Sequence, residues 1–176
     1  GIGFVVVAIG MFGIAEIVAN LESSENREVF TSEVHGLMPT WADLKASWKP
    51  VLRGTTLGSL LGILPGGGPT ISAFAAYALE KRLAADPSRF GKGAIEGVAA
   101  PESANNAAAQ THFIPLLTLG IPAGATMALM LGAMVIQGIA PGPQVMTQQP
   151  ELFWGIIASM WIGNLMLVVL NLPLIG

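Results

Sequence analysis

The chain has 176 residues, of which 52% are hydrophobic and only 11% charged, whereas a soluble domain carries about 25% charged residues. This composition excludes an ordinary soluble globular protein. The net charge of −3 and the absence of Cys indicate neither a nucleic-acid partner nor a disulfide framework or thiolate metal site.

The charged residues are confined to a few short zones. Residues 54–79, 103–150 and 152–176 contain no Asp, Glu, Lys or Arg, and each run exceeds the roughly 20 apolar residues that span a bilayer. The sequence therefore predicts an all-α polytopic membrane protein. Its apolar first residues lack a signal-peptide pattern, so we expect a piece of a longer protein.

The predicted elements follow from these runs and from the turn residues between them. In chain order they are a transmembrane helix at 1–19, a cytoplasmic loop with an interfacial helix at 20–50, a re-entrant hairpin at 51–80, a cytoplasmic loop at 81–100, a broken transmembrane helix at 101–140, a periplasmic loop at 141–151 and a transmembrane helix at 152–172.

The interfacial helix is predicted from a helix-start pattern inside the first loop. Thr40 and Asp43 have the spacing of a capping box, and Trp41, Leu44 and Trp48 would share one face of the helix that follows. Such a helix would lie in the headgroup layer, and a solvent-exposed loop helix is the alternative.

The re-entrant hairpin is predicted from the break Pro65–Pro69. Proline cannot continue a helix interior and successive glycines weaken it, so two segments too short to span a bilayer remain. The loops on both sides, 20–50 and 81–100, are basic, and basic loops collect in the cytoplasm. An even number of crossings between them is therefore required, and a hairpin opening to the cytoplasm supplies it.

A second break is predicted within the segment that follows. Pro101 and Glu102 fit a helix start, and Pro122, between Gly120 and Gly124, interrupts the helix before another apolar stretch. The motif around this break resembles the one around the hairpin tip, which hints at an internal repeat, with chance or shared packing demands as the alternatives.

Glycines at every fourth position predict smooth helix faces for close contact. They occur at Gly54, Gly58 and Gly62, and again at Gly120 and Gly124.

The two breaks together predict a binding site. In hydrocarbon a broken helix is tolerated only where it lines protein or a water-filled cavity, although a proline kink can also serve packing alone. N–H groups freed at half-helix starts attract carboxylates, and freed carbonyls bind cations. The adjacent amides at 105 and 106 would bind a ligand or cation, or join helices by hydrogen bonds. The candidate substrate- and cation-binding residues are Pro65, Gly66, Gly67, Gly68, Thr70, Ser72, Ser103, Asn105, Asn106, Gly120, Pro122, Gly124 and Thr126, with Na+ expected at the backbone near Gly66, Gly67 and Gly120.

His112 fits either a proton relay or, more commonly, a hydrogen bond between helices. An intramembrane hydrolase would have only Ser72 with His112 as a pairing, and no catalytic motif supports it, so we predict no enzyme. A channel is a further alternative. The uncharged runs 54–79, 103–150 and 152–176 contain no Lys or Arg, so helix N-termini, hydroxyls, amides and a co-bound cation would have to bind an anionic substrate.

Three motifs, at 58–68, 97–107 and 119–124, resemble those of the large membrane subunit of tripartite tricarboxylate transporters and occur in that family's order, followed by 138–143. The resemblance covers essentially the whole chain and matches the second of two inverted halves. It implies a multi-pass protein of the bacterial inner membrane that imports citrate-like carboxylates, coupled to Na+ or H+ and to no other cofactor. It also implies a small membrane subunit and a periplasmic substrate-binding protein as partners. Ala123 stands where the family often has Gly. Another ion-coupled carrier with re-entrant hairpins is the alternative.

Overall fold

The computed structural model describes residues 38–65 and 68–174, with side chains as far as residue 171. The predicted first transmembrane helix at 1–19, the loop as far as residue 37, and Gly66 and Gly67 lie outside the described residues. All regular structure within those residues is helical, as the sequence predicts. The helices are α1 (Trp41–Ile63), α2 (Gly68–Leu83), α3 (Glu96–Thr111), α4 (Phe113–Leu119), α5 (Ala125–Ile136), α6 (Val145–Gln148) and α7 (Pro150–Leu174), with a 3-10 turn at Pro87–Arg89.

Helix α1 begins at the predicted capping box. The hydroxyl of Thr40 accepts from the N–H of Asp43, and the Asp43 carboxylate accepts from the Thr40 N–H at 2.9 Å. The helix then continues through Pro50 for 23 residues, so the predicted interfacial helix and the first arm of the hairpin form one helix. Pro50 removes only one hydrogen bond, to the carbonyl of Ala46, and Ala46 is exposed at the polar end of the helix.

The short segment after Ile63 joins helices α1 and α2. At the end of the hairpin away from this segment, an ion pair links the two helices. The Arg53 guanidinium donates to both oxygens of Glu80, from Nε at 2.6 Å and from Nη2 at 2.7 Å. Glu80 is 3% exposed. This bidentate pair therefore holds α1 and α2 together at the end of the hairpin that lies away from its tip.

Helix α3 packs along the glycine face of α1, parallel to it. Gly54, Gly58 and Gly62 lie against the turns that begin at Ala100, Ala104 and Ala108, in register, and all six are buried. A Cβ at Gly58 would lie 2.6 Å from the Ala104 Cα. The predicted close contact is confirmed for these three glycines.

The same prediction is wrong for Gly120 and Gly124. Gly120 ends α4 in the left-handed conformation, with φ 68°. Gly124 is extended immediately before α5. Neither lies within a helix, because the proline between them ends one helix before the next begins.

Helix α3 begins at Glu96, five residues before the predicted start at Pro101. An acidic residue in the first turn favours the helix N-terminus, and the preceding loop is anchored there. The buried Phe90 ring packs edge-on against Tyr77 with centroids 5.4 Å apart, and covers Gly97. Pro101 therefore lies inside the helix, where it leaves the carbonyl of Gly97 without its usual partner.

The remaining helices form a second packed group. Leu117, Met134 and Val145, from α4, α5 and α6, form its buried centre. Among the described helices, α7 is the one long and apolar enough to cross a membrane, over Pro150–Asn171. It overlaps the predicted final span and leaves most of its apolar side chains exposed.

Candidate functional site

The two helix breaks meet at one cavity. Its volume is about 330 Å³, at the small end of the ~300–1,000 Å³ typical of ligand pockets. The hairpin, the end of α3 and the second break each contribute to its wall. The lining residues are Gly68, Pro69, Ala109, His112, Ala123, Gly124, Ala125, Thr126 and Met127.

Two helix N-termini lie at this cavity. Helix α2 begins at Gly68, which has φ 58°, and α5 begins at Ala125 with no side chain capping its first turn. The first N–H groups of a helix have no intrahelical acceptor and carry partial positive charge. Two such ends at one cavity favour an anion such as a carboxylate.

The cavity wall carries no fixed charge. Among its described lining residues there is no Asp, Glu, Lys or Arg, and the polar side chains are those of His112 and Thr126. Recognition of an anion would therefore rest on the helix ends, one hydroxyl and one imidazole, as the sequence predicts for a chain without intramembrane bases.

His112 lies at the junction of α3 and α4. Pro115 has no N–H for the carbonyl of Thr111, so the hydrogen-bonded helix is interrupted at His112, although His112 keeps helical backbone angles of φ −56° and ψ −27°. The side chain is 5% exposed, and its Nε2 has no hydrogen-bond partner in the described part of the chain. Such an unpaired buried atom costs about 1–3 kcal/mol. Within the described residues, Nε2 therefore does not make the expected hydrogen bond between helices.

Sequence reasoning left His112 out of the candidate site because a lone histidine usually joins two helices. The signal that would have included it is Pro115. A proline three residues downstream removes the hydrogen bond to the carbonyl just before the histidine, although such a loss does not interrupt α1 at Pro50 or α3 at Pro101.

Of the predicted site residues, Gly68, Gly124 and Thr126 line the cavity. Ser72 is buried one turn into α2, where its hydroxyl donates to the Gly68 carbonyl at 2.9 Å. Within the described residues, Ser72 and His112 therefore do not form the hydrogen-bonded pair that a hydrolase would require.

The predicted site residues of α3 precede Ala109, the first residue of that helix that lines the cavity. Asn105 is half-buried, one helical turn before Ala109 and on the same face. Asn106 is exposed, and its amide donates to the Glu102 carbonyl at 3.0 Å. Ser103 donates to the Ala100 carbonyl at 2.9 Å. Binding roles for these side chains stay predictions.

The other predicted residues do not line this cavity. Pro65 and Thr70 are exposed near the hairpin tip, and Pro122 is half-buried. Gly120 lies against the next loop, where a Cβ would meet the Pro141 carbonyl oxygen at 3.1 Å. Among the described residues no group of acidic or histidine side chains could hold a metal ion. The Na+ site expected at the backbone near Gly66, Gly67 and Gly120 stays a prediction.

A second, charged cavity of about 310 Å³ lies at the opposite end of the hairpin. The ion pair of Arg53 and Glu80 forms part of its wall, together with Asp86. The hydroxyl and N–H of Ser88 both donate to the Asp86 carboxylate and hold its pKa below the usual value. The hairpin therefore has an uncharged end at one cavity and a charged end at the other.

Comparisons with known proteins agree over the whole chain. The model of the family described as "Tripartite tricarboxylate transporter TctA family" matches residues 1–176. An Agrobacterium vitis protein described as "Uncharacterized 52.8 kDa protein in TAR-I ttuC' 3'region" is 62% identical over 176 residues, which are 100% of this chain and 35% of the relative. A second from the same organism, "Uncharacterized protein in TAR-II ttuC' 3'region", is 72% identical over 119 residues, 68% of this chain and 49% of the relative. The chain thus spans less than half the length of either curated relative. No solved structure matches it.

Proposed function

The chain belongs to the tripartite tricarboxylate transporter TctA family, and we propose that it forms half of the pathway by which such a transporter carries a citrate-like carboxylate across the bacterial inner membrane. The observation that carries the proposal is the meeting of two broken helices at one cavity. Irregular backbone at membrane depth survives only where it lines protein or water, and paired half-helices form the substrate sites of secondary transporters.

The chemistry of the cavity fits a carboxylate. The starts of α2 and α5 supply N–H groups, Thr126 supplies a hydroxyl, and no fixed positive charge lines the described wall. Partial charges and neutral donors hold an anion less tightly than a buried Lys or Arg would, which suits a site that must release its cargo. Alternating access would then open the site to each side in turn.

The hairpin is proposed to be re-entrant and to open to the cytoplasm. Its uncharged parts, 54–63 and 68–79, are about 10 to 12 residues each and reach about 15–18 Å, roughly half of a hydrocarbon core of about 30 Å. The charged end, with Arg53 and Glu80, would then lie at the cytoplasmic surface. Labelling of single cysteines introduced as His35→Cys and Ala85→Cys in the full-length protein tests this, and labelling from opposite sides would refute it.

The proposed assembly includes a small membrane subunit and a periplasmic binding protein, with Na+ or H+ as the coupling ion. The long exposed apolar surface of α7, which includes Trp161 at 77% exposure, supports burial against lipid or the rest of the transporter. Uptake measured with a Na+ gradient alone and with a proton gradient alone identifies the coupling ion. Uptake that needs neither gradient would refute coupling.

The test of the site is to fill the cavity. Gly124 has extended backbone that any residue adopts, so Gly124→Leu adds volume without backbone strain. We expect carboxylate uptake by vesicles containing the whole transporter and its binding protein to fall at least about 10-fold, the effect of about 1.4 kcal/mol. The control is Gly163→Leu in α7, where a Cβ would meet nothing within 4 Å. Unchanged uptake by Gly124→Leu would refute the site.

The two asparagines separate a binding role from a structural one. Asn105 shares the face of α3 that leads to the cavity, whereas the Asn106 amide is already bonded to its own helix. We expect Asn105→Ala to reduce uptake more than Asn106→Ala. Equal tolerance of both changes would remove α3 amides from the proposed pathway.

A further inference from the structure

His112 is the side chain in this region that the family likeness and the sequence motifs leave without a role. The interruption caused by Pro115 places it where α3 ends, opposite the second break and in the cavity wall. It is also the only titratable side chain among the described lining residues. Its position is therefore specified by the same helix breaks that form the cavity.

Its hydrogen-bonding capacity is unused. The imidazole is 5% exposed, and Nε2 meets no donor or acceptor among the described residues. A buried polar atom of this kind normally has a partner. Burial without one indicates that the partner lies outside the described residues, and a ligand bound in the adjoining cavity is a partner that the position of the ring allows.

The imidazole ring of His112 lies directly beside Gly124 in the second break. A Cβ at Gly124 would lie 3.3 Å from the Cε1 of His112 and 3.8 Å from its Nδ1. The absence of a side chain at 124 therefore leaves room for the imidazole beside the start of α5. The ring, the N-terminus of that helix and the Thr126 hydroxyl border a single space.

We propose that His112 is a cargo-binding residue that donates its Nε2–H to a carboxylate group of the transported acid. The inference rests on the proposed function and adds to it the donor that completes the site. In this structure Cε1 faces Gly124 and Nε2 is covered; a half-turn of the ring about χ2 exchanges these two atoms and brings Nε2 to the side of the cavity wall that Gly124 forms. A neutral imidazole then supplies one directional hydrogen bond where the helix N-termini supply only diffuse charge.

The test is direct binding to the purified full-length large subunit, measured by calorimetry with citrate, tricarballylate, succinate and malate as probes. His112→Phe keeps a flat ring and removes the donor, whereas the amide of His112→Gln restores a donor at similar reach. We expect His112→Phe to weaken binding about 10- to 100-fold, the range for losing a hydrogen bond to a charged group. His112→Gln should stay within about 5-fold of wild type.

The unfolding temperature of the ligand-free protein separates binding from structure. Phenylalanine removes an unpaired buried nitrogen, so His112→Phe should unfold no earlier than wild type although it binds more weakly. Wild-type binding by His112→Phe, or an equal loss of affinity and stability in both variants, would overturn the inference and leave the proposed function intact. If the wild-type protein bound none of the four acids, the proposed function and this inference would both fall.

Discussion

The contact between α1 and α3 gives the sharpest test of the fold. A Cβ added at Gly58 would lie 2.6 Å from the Ala104 Cα and 2.7 Å from its carbonyl carbon, whereas carbon atoms prefer about 3.5–4.0 Å. The obstructing atoms are backbone atoms, so no rotamer change relieves the overlap. Gly58→Ala therefore requires the two helices to separate by about 1 Å.

Two opposing effects determine how much Gly58→Ala changes the free energy of unfolding. Alanine gains about 1 kcal/mol over glycine in a helix interior, and overpacking a well-packed interface costs about 1–3 kcal/mol. Because the backbone cannot yield, the upper part of that range applies, and we expect a net loss of about 1–2 kcal/mol. At Gly155 of α7 a Cβ would meet nothing within 4 Å, so Gly155→Ala should gain up to about 1 kcal/mol.

The measurement is reversible unfolding of the full-length protein in mixed micelles, followed by tryptophan fluorescence. The double variant Gly58→Ala with Ala104→Gly provides a second check. It should not recover the loss, because the overlap is with the Ala104 backbone and not with its side chain. A Gly58→Ala protein as stable as wild type, or full rescue by Ala104→Gly, would refute the backbone contact.

Three further changes have expected outcomes in the same unfolding assay. Arg53→Met leaves the buried Glu80 unpaired and should cost about 2–3 kcal/mol, a value reduced for the partly exposed Arg53; Glu80→Gln should cost only about 1 kcal/mol because the guanidinium can reach water. Equal losses would contradict that asymmetry. Gly120→Ala forces φ 68° on a residue with a Cβ and should cost about 1–2 kcal/mol, whereas Gly124→Ala, on extended backbone, serves as its control and should cost less. Thr40→Ala removes the α1 cap and should cost about 1 kcal/mol, and an unchanged midpoint would show that the cap is dispensable.

The sequence predicts the helical class and the two breaks because both depend on local chemistry. Long uncharged runs are typical of membrane helices, and clusters of Pro and Gly such as those at 65–69 and 120–124 interrupt them. The face formed by Gly54, Gly58 and Gly62 was predictable for the same reason, since helical periodicity is a local property.

The boundaries and the joining of the breaks were not predictable in this way. The predicted boundary after residue 50 and the predicted helix start at Pro101 both fall inside helices, because the one hydrogen bond that each proline removes is less costly than a new helix end. Gly68 at the start of α2 and Gly124 meet at one cavity because of the way α3 packs against α1, and no local sequence pattern encodes that packing. The place of His112 in the cavity depends on the same packing and on the helix boundaries.

The register of α1 against α3 also determines which parts of the molecule can move. Backbone lies on backbone over three successive turns, so sliding one helix along the other would require every glycine to leave its alanine partner at once. These two helices therefore act as a stiff frame. The stretch between α4 and α5 lies outside any helix, and its Gly120 and Gly124 each lie close to a single neighbouring residue and not to a whole helix face. Any motion that opens the cavity would hinge there, on the side of the site that carries α5.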